Sequence, residues 1–84
     1  PDLRDPAVTA LVEHDAAQGT ELARSLLAYL DAMGDVRSAA AGLHIHPNTL
    51  RHRVRRAAEI SGLSLADPRE RLCCHLQLLL ATRS

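Results

Sequence analysis

The 84-residue sequence contains no lysine, phenylalanine or tryptophan, and Tyr29 is its one aromatic residue. With few β-branched and almost no aromatic side chains, the composition offers little to build a sheet. Two cysteines are present, and they are adjacent, Cys73 and Cys74. Neighbours on a helix point in different directions and cannot staple distant segments, so a disulfide framework is excluded. They read as two small apolar side chains in a reducing compartment. No apolar run approaches the roughly 18 residues of a membrane span, and no signal-peptide pattern opens the chain. What is present is mostly Leu and Ala, both good helix formers. A chain this short buries only about 60% of its unfolded surface, so the expectation is one small all-α domain with a simple core. It starts at Pro1 without a methionine, which points to a cytoplasmic piece of something longer.

A second absence is local. The net charge is zero, from ten Arg against ten Asp and Glu, yet no acid lies between Val36 and Ala58. That span holds Arg37, Arg51, Arg53, Arg55 and Arg56 and three histidines, His44, His46 and His52. Neutrality is therefore a cancellation between regions, and the middle of the chain is strongly basic.

Punctuation divides the chain into five helices. Asp5-Pro6 is a start signal, with Val8, Leu11 and Val12 at helical spacing before Gly19. Thr20 is placed to cap a second helix with the stripe Leu22, Leu26, Tyr29, Leu30 and Met33, and Gly34 to end it. Asp35 caps a third, short helix with Val36, Ala39, Ala40 and Leu43 on one face. After the connection His44, Ile45 and His46, Pro47 opens a fourth helix that runs to about Ser61, with Gly62 beyond it. Leu63 and Leu65 of the following loop should tuck inward. Asp67, Pro68 and Glu70 form a capping box for a fifth helix whose buried side is Leu72, Leu76, Leu79 and Leu80.

At about 100° per residue, Leu50, Val54, Ala57 and Ser61 of the fourth helix share one stripe, with Ile60 at its edge. Asn48, His52, Arg55 and Glu59 fall opposite, flanked by Arg51, Thr49 and Arg56. Arg53 lies nearer the core boundary, where its stem can pack and its head reach water. A solvated helix usually mixes signs at i,i+4, whereas here only Glu59 can relieve four clustered arginines. Such crowding costs stability unless an anion offsets it, and the helix N-terminus itself favours phosphate. A short helix, a three-residue turn and a second helix with a polar start match a helix-turn-helix. Ala40 supplies the small residue where the helices touch, Ile45 the apolar wedge in the turn, and Leu50 the buried anchor. The second helix of such a unit enters the DNA major groove with its N-terminal residues against base edges. Arg can pair with guanine and Asn with adenine in two-bond geometry.

The stretch "LARSLLAYLDAMGDVRSAAAGLHIHPNTLRHRVRRAAEISGLSLADPRERL" resembles the C-terminal helix-turn-helix domain of PucR-type and CdaR-type bacterial transcription regulators. The likeness covers roughly Leu22 to Leu80. "IHPNTLRHRV" together with "SGLSLADPRERL" carries it, because unrelated helix-turn-helix sequences do not share the second half. The three-helix core is also similar to the DNA-binding end of Fis and of NtrC-type activators. The resemblance implies an all-α, five-helix orthogonal bundle that binds double-stranded DNA, at the C-terminus of a longer regulator acting as a homodimer or larger assembly. It implies no cofactor, and a small-molecule effector only through a region outside this chain. Carried over by position, the DNA-contacting roles fall on His46, Asn48, Thr49, Arg51 and His52, with Arg53, Arg55 and Arg56 nearer the backbone. Three departures stand out. His52 replaces a frequent Tyr, and Pro47 replaces a common basic residue. His44 occupies the turn position where many such units place Gly, so a positive φ is expected there.

Other readings are less well supported. His44, His46 and His52 lack the i,i+4 pairing that helical zinc sites favour, and no Cys or carboxylate lies near them in sequence. His14 and His75 read as surface or boundary residues. No nucleophile–base ordering, phosphate loop or paired carboxylate suggests an enzyme. RNA-binding modules lean on aromatic stacking, which the basic helix cannot offer. The serious competitor is a protein-interaction or dimerisation module, in which the arginines meet an acidic partner and helices one and five supply apolar contact.

Overall fold

The computed structural model describes residues 6–82, with side chains to residue 81. It is all-helical: α1 (Pro6–Gln18), α2 (Leu22–Asp31), α3 (Val36–Leu43), α4 (Pro47–Ser61) and α5 (Pro68–Thr82). Asp5, the expected cap of α1, lies outside the described residues. The centre of the bundle is α2, which packs against each of the other four helices, while the backbone of α5 lies close to α1 and α2. Leu11, Leu26, Leu50 and Leu78 are fully buried at the middle, one each from α1, α2, α4 and α5. Ser25 is buried with them and donates its hydroxyl to the Glu21 carbonyl at 2.8 Å, so its burial leaves no unpaired polar group.

The helix boundaries follow from local chemistry, with corrections. Thr20 does not cap α2. The Asp15 carboxylate, in the last turn of α1, accepts the N–H groups of Leu22 and Ala23 at 2.9 Å each, and the Thr20 hydroxyl donates to the same carboxylate. A neighbouring helix can therefore cap more completely than the adjacent residue. The end of α2 closes by two reverse bonds, Met33 N–H to the Leu30 carbonyl and Gly34 N–H to the Tyr29 carbonyl. This puts Met33 itself in the left-handed region, φ 57°, off the helical stripe and 93% exposed, not in the core as its spacing suggested. Val12, expected inside, is exposed as well.

The loop after α4 holds Leu63 and Leu65 partly buried against the core. Asp67 caps α5, accepting from Arg69 N–H at 2.9 Å and Glu70 N–H at 3.4 Å. Its own N–H donates to the Ser64 carbonyl at 3.2 Å, so the reciprocal half of the capping box does not form.

The largest departure is the rotational setting of α5. Leu72, Leu76, Leu79 and Leu80 are exposed, Leu72 and Leu80 by 59% and 63%, and the buried positions are Cys74 and Leu78. Leucines surround this helix, so periodicity alone does not select the inner face. Two polar contacts go with the observed setting: Arg71 Nη1 donates to the Leu65 carbonyl at 3.0 Å, and His75 Nε2 lies 2.6 Å from Asp31 Oδ1 on α2. The small Cys74 side chain then faces inward, where a leucine would hold the helix farther away. Cys73 is exposed, so only its neighbour behaves as a core residue.

Candidate nucleic-acid interface

Helices α3 and α4 meet as the sequence suggests. The Asp35 side chain accepts the Ser38 N–H at 3.2 Å and the Ser38 hydroxyl at 3.0 Å, fixing the start of α3. These bonds, the backbone N–H first, hold the Asp35 carboxyl below its ordinary value. Ala39 and Ala40 are buried, and Ala40, 1% exposed, leaves room for close approach. His44 adopts φ 58° and ψ 41°, the expected left-handed conformation. Its N–H reaches the Ala41 carbonyl at 3.2 Å and the Ile45 N–H reaches Ala40 at 3.0 Å. Two reverse bonds thus turn the chain sharply and direct Ile45 into the partly buried layer against the core.

α4 is fixed from its inner side. Leu50, Val54 and Ala57 are buried, and Ile60 packs at the edge of the core. Ser61 is half-buried, its hydroxyl donating to the Ala57 carbonyl at 2.8 Å. Gly62, at φ 72°, ends the helix with its N–H on the Ala58 carbonyl. A helix anchored on this stripe must present its opposite side outward. His46, Asn48, Thr49, Arg51, His52, Arg55 and Arg56 are all exposed.

These residues are not equivalent. His46 is the N-cap, with Nδ1 accepting the Asn48 N–H at 3.0 Å. Arg51 Nη1 donates to Asn48 Oδ1 at 2.7 Å. Arg56 lies 3.4 Å from Glu59, a pair exposed enough to break at little cost. His52 and Arg55 have no polar partner among the described residues. Arg53 stands apart: it is half-buried, its side chain 31% exposed, and its head lies 3.8 Å from Glu21 at the start of α2. Arg37, outside the candidate set although it belongs to the basic middle region, is exposed in the first turn of α3. The other helices leave the cationic face uncovered.

A buried anchor, a sharp left-handed turn and an uncovered basic helix constitute a helix-turn-helix unit. The model of the PucR C-terminal helix-turn-helix domain matches residues 22–80, most of the chain. This chain belongs to that family. The match takes in α2 to α5 and leaves only α1 before it. Similar proteins include an uncharacterized protein of Mycobacterium tuberculosis (strain H37Rv), 38% identical over 55 residues, which are 66% of this chain and 13% of that protein. An uncharacterized protein of Mycobacterium bovis matches with the same figures. The proline-responsive transcriptional activator PutR of Bacillus subtilis is 36% identical over 66 residues, 79% of this chain and 16% of PutR. The chain therefore spans only 13–16% of the length of these relatives. No solved structure matches. The PucR-type domain is a helix-turn-helix module of transcription regulators and not an enzyme family. None of the described helices is long and apolar enough to cross a membrane.

Proposed function

We propose that this domain binds double-stranded DNA sequence-specifically, with α4, residues 47–61, in the major groove. The observation that carries the reading is the uncovered outer face of α4, where Arg51, His52, Arg55 and Arg56 are exposed along one helix anchored by Leu50, Val54 and Ala57. His46, Asn48, Thr49, Arg51 and His52 stand at the end that meets base edges, and Arg55 and Arg56 suit phosphates. Arg53, half-buried, serves the backbone only by leaving Glu21, 3.8 Å from its head. Arg37 adds a phosphate contact from α3, the helix that crosses the backbone in such units.

The domain works as the C-terminal part of a longer cytoplasmic, nucleoid-associated regulator, and any effector acts through a region outside residues 1–84. A homodimer of that regulator places two recognition helices about 34 Å apart, one turn of DNA. Binding of the full-length protein as a monomer to one unrepeated half-site would overturn the dimer.

The reading is tested by selection from random duplexes at two salt concentrations. The expected result is an enriched motif and a log K that falls with log salt by roughly 0.9 per contacted phosphate. Binding that is flat with salt, and unchanged by Arg51→Ala and Arg55→Ala together, would favour a protein-interaction module instead. The exposed leucines of α5 are the observation on that side. The exposed leucines lie on α5 and the cationic face on α4, so a protein contact at one and DNA binding at the other are compatible.

A further inference from the structure

Three side chains at the start of α4 are linked in a way that changes what they offer a base. His46 Nδ1 accepts a backbone N–H, so the neutral ring carries its proton on Nε2, a donor. Asn48 Oδ1 accepts from the Arg51 guanidinium at 2.7 Å, which takes up one of that oxygen's two lone pairs and leaves its amide donors free. Arg51 has no acceptor, and with Nη1 engaged its Nε–H and Nη2–H, on the opposite edge, remain available. What the cluster offers outward is therefore mostly donors, with one lone pair of Asn48 Oδ1 left among them.

From this we infer that the cluster His46, Asn48 and Arg51 selects guanine, with Arg51 as the specificity-determining residue and Asn48 as a positioning residue, not an adenine reader. The inference rests on the DNA-binding reading above and deepens it. Guanine shows two acceptors in the major groove, N7 and O6, which match the free edge of Arg51. Adenine shows an acceptor and an amino donor, and its two-bond contact with Asn requires the Asn oxygen to accept that amino group. Here the Arg51 guanidinium already sits on that oxygen, so an adenine contact by Asn48 competes with the bond, whereas a guanine contact through the free edge of Arg51 keeps it. Sequence pattern alone leaves both options open, guanine by Arg51 and adenine by Asn48, and the bond between them favours the first. Holding the guanidinium before DNA arrives also reduces the side-chain entropy lost on contact.

The test is motif selection from random duplexes by the full-length protein, wild type and the variants Arg51→Ala and Asn48→Ala, with thermal melts to verify folding. The base pair whose preference relaxes in Arg51→Ala should be G·C, with guanine favoured over adenine roughly tenfold or more in the wild type. The same position should lose part of that preference in Asn48→Ala, a change in base ranking that a purely structural loss would not cause. An adenine at that position, or a guanine preference untouched by Asn48→Ala, would overturn the inference while leaving DNA binding intact. Failure of the folded wild type to enrich any duplex would overturn the DNA-binding reading itself, and this inference with it.

Discussion

The Asp15 carboxylate accepts the Leu22 backbone N–H at 2.9 Å, so the last turn of α1 caps the first turn of α2. The bond ties α1, the helix outside the family match, to the central helix against which α4 packs. A second N–H, that of Ala23, ends on the other oxygen of the same carboxylate. Asp15→Ala strands both donors and should destabilise the domain by about 1–2 kcal/mol. Thr20→Ala removes only a hydroxyl that supports the carboxylate, and about 0.5 kcal/mol is expected. Urea denaturation of the two variants checks the order. Equal losses, or a larger loss for Thr20→Ala, would return the cap to the adjacent residue.

The start of α3 gives a pH prediction. Bonds from Ser38 hold the Asp35 carboxyl below its ordinary value of 3.8. Because the folded value is the lower one, the cap's charge-dependent stability is fully present above the unfolded value and is lost as pH falls through the folded value. The window therefore opens near pH 3.8 and extends downward. Asp35→Asn keeps a capping oxygen and cannot titrate. Wild-type stability should fall relative to this variant between pH 5 and pH 2, measured by denaturant melts. A constant difference across that range would remove the charge from the account.

Legibility differed from helix to helix for physical reasons. α4 was readable because its apolar residues form a single stripe, so anchoring that stripe decided where every arginine points. The same reasoning misplaces α5, where leucines surround the helix and the observed inner face goes with Arg71 on the Leu65 carbonyl and His75 beside Asp31. Contacts between residues remote in sequence carry no local signal. The Arg53–Glu21 pair is of that kind, and the Asp15 cap, though it joins residues close in sequence, crosses from one helix to the next. The Asn48–Arg51 bond is different: i,i+3 spacing allows it, but the spacing equally allows both side chains to reach outward. His44 was legible because it stands at the turn position where many such units place Gly, and Met33 was not, because Gly34 beside it looked sufficient.

The setting of α5 is checked by a pair of truncations. Leu78 is fully buried, and Leu78→Ala should cost about 2–5 kcal/mol. Leu76 is half exposed, at 53%, and Leu76→Ala should change the stability of the monomeric domain by no more than about 1 kcal/mol. The leucine stripe read from spacing demands the reverse order. Chemical denaturation at low protein concentration separates the two settings, since dilution removes any contribution of self-association to Leu76.

Arg55 allows stability and binding to be driven in opposite directions. It stands one helical turn from Arg51, and like charges at i,i+4 repel by roughly 0.2–0.5 kcal/mol. With no partner for Arg55 among the described residues, Arg55→Ala relieves that repulsion and loses no internal contact in exchange. The variant should melt at the same temperature as the wild type or slightly above it. Its affinity for duplex DNA should nevertheless fall, and the slope of log K against log salt should become shallower by about 0.9, the share of one phosphate. Leu50→Ala provides the contrast. Leu50 is buried in the core beneath the same helix, so its loss should cost about 2–5 kcal/mol and weaken binding only through unfolding. Melting curves paired with salt-dependent titrations of both variants distinguish a side chain kept for a ligand from one kept for the fold. An Arg55→Ala variant that loses stability and leaves the salt slope unchanged would place this arginine among the structural residues.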